Sequence, residues 1–140
     1  MSHMVEAIEV DVPASVAYSR WAKFTAFPQY MESVEKVQDL DPTHVHWKAR
    51  IMASTREWDA EITEQVPGQR ISWRAQDGPQ NSGTITFDPL GPQSTKIEVQ
   101  MDFEPDGVVE TVGDKLGVVQ AQVRRELMNF RDFVDEHPLG

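Results

Sequence analysis

Arg56 and Asn81 are the two residues whose chemistry does not match their setting. In alternating segments they share the parity of apolar neighbours, Arg56 with Trp58, Ala60 and Ile62, and Asn81 with Gly83, Ile85 and Phe87. A charge or an amide is costly to bury without partners. If the strands run unbroken, Arg56 points inward, where it can orient a carbonyl or carboxylate of a bound molecule. A strand end or a bulge would instead turn it to solvent or to a neighbouring acid, and both readings stay open. Other chemistry is sparse. His44 and His46 have the alternate spacing of two imidazoles on one strand face, but Lys48 and Arg50 share that polar face and oppose a cation. His137 falls in the terminal tail. Asp59 and Glu61 lie on the outward parity. Glu64 has the inward parity but sits beside a turn, where water reaches it. Arg124-Arg125 and Asp88, Asp102 and Glu104 read as solvated faces. No buried acid and base stand next to one another. The chain has no Gly-x-Ser-x-Gly elbow, phosphate loop or dinucleotide fingerprint, so neither a cofactor nor a metal is expected.

The elements that must position these residues are legible from periodicity. VEAIEVDV (5–12) alternates with Ile8, Val10 and Val12 on one face and Glu9 and Asp11 on the other, and Pro13 ends it. PASVAYSRWAKFTAFPQYM then has helical spacing at Val16, Ala17, Trp21 and Phe24, with Pro28 interrupting it before a short second helix around 29–31. Six alternating segments follow, at 34–40, 44–52, 55–66, 70–76, 83–90 and 94–104, joined by short Asp-Pro, Pro-Gly and Gly-Pro turns. Such short links make an antiparallel meander. From Val112 through Leu116, Val119, Val123, Leu127, Phe130 and Val134 the step changes to three and four, an apolar stripe on a helix of about 28 residues. Gly113, Gly117 and Ala121 flank it and would let a neighbour approach closely. The 140 residues make one domain, and about two thirds of the unfolded chain's surface can be buried. Met1-Ser2-His3 reads as a tag remnant, leaving a single domain over 4–137. Without cysteine there is no disulfide or thiol nucleophile. No membrane span or secretory leader is seen, so a cytoplasmic protein with no integral membrane association is expected. A net charge of −10, from 13 basic and 23 acidic residues, repels phosphate backbones and argues against a nucleic-acid partner.

The layout, with IEVDVPASVAYSRWAKFTAFPQYM, EWDAEITEQVPGQRISWRA, GTITFDPL and VRRELMNFRDFV, resembles the START-like (SRPBCC) helix-grip superfamily, and within it the polyketide cyclase/dehydrase-like branch. It implies an α+β fold, a curved antiparallel sheet of about seven strands, in the order β-α-α-β6-α, wrapped around the C-terminal helix. The resemblance also implies a cavity for a hydrophobic small molecule between sheet and helix. Trp58 and Trp73 would line it, Trp73 the more so because Ala75 beside it leaves space, while Trp21 and Trp47 read as structural packing. Phe87, Met101 and Phe103 share the inward parity, and Val112 and Leu116 face the sheet from the helix. Phe27, Tyr30 and Met31, at the helix break, would form a lid or wall with the Tyr30 hydroxyl turned inward, or else an aromatic plug. The expected function is to bind a lipid, isoprenoid or polyketide-like molecule. The alternative is an aromatase/cyclase-type enzyme promoting aldol cyclisation and dehydration, with Arg56 and Tyr30 as its donors. A protein-interaction module is the third reading, although the charged outer face offers it no apolar patch.

Overall fold

The computed structural model describes residues 2–51, 54–77, 80–104 and 112–136. Strand β1 (Ser2–Val10) is followed by helix α1 (Ala14–Trp21), a 3-10 helix (Phe24–Gln29), strands β2 (Val34–Asp41), β3 (His44–Ile51), β4 (Ser54–Val66), β5 (Arg70–Ala75), β6 (Gln80–Gly91) and β7 (Ser94–Glu104), and helix α2 (Val112–Glu136). The strands form one antiparallel sheet in the order β1-β7-β6-β5-β4-β3-β2. This is the helix-grip fold. The meander pairs each strand with its sequence neighbour, and β1 closes the far edge by pairing along its whole length with β7, starting at Ser2 opposite Phe103.

The helical connection differs in detail from its sequence pattern. The break falls at Ala22 and Lys23, and Pro28 lies inside the second helix. The reason is the spacing of Phe24 and Phe27. Three residues per turn puts both on one face, and both are buried.

Alternation holds along most of the sheet, so Trp58, Ala60 and Ile62 are buried on its concave side. A bulge between Ile62 and Glu64 then shifts the register. It moves Glu64 off the inward parity and opposite Ser72, where the Arg70 Nε–H donates to it at 2.8 Å. That correction takes Glu64 out of the inward row of β4.

Helix α2 grips the concave face through Val119, Leu127, Phe130 and Val134, all buried, with Phe130 edge-on to Trp21 at 4.8 Å. A charged clamp adds to this. Glu6 shares the parity of Ile8 and Val10 and is only 9% exposed. Arg124, which the sequence pattern assigned to a solvated face, reaches it with two N–H groups at 2.9 and 3.1 Å, and Gln120 donates at 3.0 Å. The guanidinium hydrogen bond holds the Glu6 carboxyl below its ordinary pKa, against the opposing effect of burial.

On the outer face each imidazole has carboxylate partners. His44 Nδ1 lies 2.9 Å from Asp41, and His46 is held by Asp59 at 2.6 Å and Glu57 at 3.1 Å. The hydrogen bond to Asp59, then that to Glu57, raises the His46 pKa above the ordinary imidazole value of about 6.5. A raised folded-state value means that the protonated ring stabilises the fold fully below about pH 6.5, and that this is lost as pH climbs through the raised value. His46→Gln is therefore expected to lower the melting temperature more at pH 6 than at pH 9. Paired thermal melts check this, and an equal loss at both values would refute it.

Candidate functional site

Between the concave face and α2 lies a cavity of about 220 Å³. Strand β3 contributes Trp47, Ala49 and Ile51, because its outward residues are His44, His46 and Lys48. Strands β4 and β5 contribute Trp58, Ile62, Ile71 and Trp73, and β6 and β7 contribute Asn81, Ile85, Val99, Met101 and Phe103. Trp21, Phe24, Phe27 and Met31 close one end, and α2 supplies Val119, Gln122, Val123, Glu126 and Leu127. Val34 and Ser33 complete the described lining.

All four tryptophans of the chain therefore face the cavity. Trp47 and Trp58 are directly opposite in the β3–β4 register and stack with ring centroids 6.4 Å apart and planes within 11°. Assigning Trp21 and Trp47 to packing alone was thus too narrow; the alternation of HVHWKARI already puts Trp47 on the side opposite the histidines. Trp73 is oriented by two neighbours. Its indole N–H donates to Asn81 Oδ1 at 2.8 Å, and its six-membered ring lies over Gly83, its register partner on β6. Gly83 makes room for the ring. Asn81 is accordingly half-buried and part of the wall.

The other sequence candidates divide clearly. Phe27, Met31, Met101 and Phe103 line the cavity. Phe87 is buried but lies outside the lining, with Tyr18 edge-on at 5.6 Å and Trp21 at 6.5 Å, because α1 covers that end of the sheet. The side chains of Val112 and Leu116 lie outside the described residues. Arg56 is exposed and outside the lining. Its register opposite Ala49 keeps it on the concave side, but it stands near the strand end, where water meets it. Tyr30 also lies outside the lining, stacked on Phe133 at 4.4 Å. Its hydroxyl is buried without a hydrogen bond, and burial raises its pKa strongly, with Arg20 opposing. Phe27 and Met31 thus form wall, whereas Tyr30 belongs to the plug behind it.

One polar group in the wall escaped the sequence reading. Glu126 is 9% exposed and lines the cavity. Its Oε2 accepts the backbone N–H of Ser33 at 2.7 Å and the Ser33 hydroxyl, and its Oε1 accepts from Asn129 Nδ2 at 2.8 Å. One turn earlier Gln122 donates to the Arg50 carbonyl at 2.6 Å, and the Arg50 N–H donates to the Ser33 carbonyl at 2.7 Å. These bonds seal α2 against β3 and the loop before β2. The clue lay beside the stripe, since Gln122 and Glu126 sit four apart next to Val123 and Leu127 on one side of α2.

The fold is that of the helix-grip proteins, and residues 10–131 match the polyketide cyclase/dehydrase and lipid transport family. The chain belongs to that family. A relative from Streptomyces lincolnensis, an uncharacterized 17.2 kDa protein of the melC2-rnhH intergenic region, is 43% identical over 137 residues, 97% of this chain and 91% of its own. Among solved structures, a START superfamily protein from Mycobacterium smegmatis superposes with a TM-score of 0.79 at 17% identity, covering 94% of this chain and 98% of its own. The Zhui aromatase/cyclase of Streptomyces sp. R1128 does so with 0.78 at 16% identity, covering 96% and 92%. At those identities the two structures show the shared fold. Family membership thus rests on the sequence match, and the START-like architecture on the superpositions. No helix among the described residues is long and apolar enough to cross a membrane.

Proposed function

We propose that this family member binds a hydrophobic or amphipathic small molecule in the cavity between its sheet and α2. The observation that carries this reading is the cavity itself, whose described lining is apolar except for Ser33, Asn81, Gln122 and Glu126. Apolar wall of this kind left to water forgoes roughly 25 cal/mol for every Å² that an apolar partner would cover. A bound apolar ligand recovers that contribution. Catalysis of the aromatase/cyclase kind is the second reading, favoured by Glu126 as a buried carboxylate at the wall where a general base would act. The positions of Arg56 and Tyr30 outside the lining weigh toward binding.

Titration of the delipidated protein with fatty alcohols, fatty acids, isoprenoids, flavonoids and aromatic polyketides tests the proposal through tryptophan fluorescence. Saturable quenching or a blue shift in the micromolar range is expected for at least one class. Because four indoles face the cavity, Trp73→Phe should remove part of the response and leave the remainder to Trp21, Trp47 and Trp58. A response that Trp73→Phe leaves untouched would place binding elsewhere. A flat response across the panel would count against a ligand-binding cavity. Product formation from a poly-β-ketone substrate, measured on the same protein, would favour the cyclase.

A further inference from the structure

The cavity's electrostatics narrow the class of ligand, an inference that rests on the binding reading above. Among the described lining residues Glu126 alone carries a charge, and no Lys, Arg or His accompanies it. A carboxylate can accept at about four sites. Three are taken by the Ser33 N–H, the Ser33 hydroxyl and the Asn129 amide. Both Ser33 donors fall on Oε2, so the spare acceptor capacity lies with Oε1, on a side chain that forms part of the wall.

We propose that Glu126 is the polar anchor of the site, and that the ligand is a neutral molecule of one or two rings whose hydroxyl donates to the Glu126 carboxylate. Size sets the first half of this. A protein cavity of about 150 Å³ accommodates benzene, so one of about 220 Å³ takes a bicyclic skeleton or a ring with a short substituent. Charge sets the second half. An anionic head would enter a low-dielectric pocket already holding a negative charge, with no cation in the described lining to compensate. An ammonium head would complement Glu126 but must shed strongly held water, a larger penalty than a hydroxyl incurs. A phenol or alcohol fills the open acceptor site at the lowest desolvation cost.

The test is a matched series of 2-naphthol, naphthalene, 2-naphthoate and 2-naphthylmethylammonium, measured by equilibrium dialysis against the full chain at pH 7. Naphthol is expected to bind about tenfold or more tighter than naphthalene, the value of a hydrogen bond to a charged acceptor, with naphthoate weaker than either. In Glu126→Gln naphthol should fall toward naphthalene, and naphthoate should gain, because the negative charge is gone and an amide donor is present. Glu126→Asp, which withdraws the carboxylate by one methylene, serves the same purpose if the glutamine variant does not fold, and should weaken naphthol selectively. Equal binding of naphthol and naphthalene overturns the anchor while leaving an apolar cavity standing. A naphthol preference that survives at Glu126→Gln overturns it as well, as does tighter binding of the ammonium. Absence of binding by all four would overturn the anchor and its ligand class, and the cavity reading would then stand or fall with the fluorescence titration of the wider panel.

Discussion

Gly83→Ala is expected to destabilise the protein by about 1–3 kcal/mol and to distort the cavity at the same time. A methyl group at Gly83 would stand 2.4 Å from the Gln100 carbonyl oxygen and 2.6 and 2.9 Å from two carbons of the Trp73 ring. The glycine is needed here for space. It sits mid-strand between β5 and β7, with the indole laid across it. The carbonyl contact is with backbone and cannot be relieved by a rotamer change. The ring can move only by leaving Asn81, which breaks the 2.8 Å hydrogen bond from its Nε1 and leaves an indole N–H to find another partner. Urea unfolding should show a lower midpoint with an unchanged slope, and any ligand found by the fluorescence titration should bind more weakly. An unchanged midpoint together with unchanged affinity would mean that β6 shifts to absorb the methyl, and would remove Gly83 from the account of how Trp73 is placed.

Phe130→Ala should produce a still larger loss, about 3–5 kcal/mol, enough to lower the melting temperature by roughly 10 °C. Phe130 is fully buried where three elements meet: it is edge-on to Trp21 of α1 at 4.8 Å and tilted against Tyr30 at 5.9 Å, and it projects from α2 toward the sheet. Truncation leaves a void that these rigid rings cannot collapse into. Phe133, half-buried and stacked on Tyr30, provides the comparison, and Phe133→Ala should cost clearly less. Calorimetric melts of both variants decide the matter; equal losses would show that α2 is held mainly by its polar clamps, Glu6 with Arg124 and Glu126 with Ser33.

Those clamps mark the boundary of what residue patterns can convey. Glu6 and Glu126 each sit in register with an apolar row, as visible in the sequence as the placement of Arg56, yet the three acids and bases end differently. Glu6 is buried because Arg124 and Gln120, more than a hundred positions away, meet it there. Glu126 is buried because the Ser33 loop folds over it. Arg56 has the same formal parity as Trp58 but lies near the end of β4, so water reaches it. Parity is a local property, whereas burial depends on which distant element covers that point. The same reason explains Glu64, whose parity was reversed by one bulge in the β4–β5 pairing.

By itself the sequence determined the element order, the seven strands, the antiparallel meander and the apolar stripe of α2, because alternation at period two and recurrence at three and four follow directly from backbone geometry. It also determined that Trp58 and Trp73 share the concave face. Only the tertiary structure decided that the space beneath α2 stays open, that all four tryptophans look into it, and that Glu126 is the one charge of its described lining. A cavity is the volume left after helix and sheet settle at their packing distance. That distance is set by contacts such as Phe130 with Trp21 and Glu126 with Ser33, which join residues far apart along the chain.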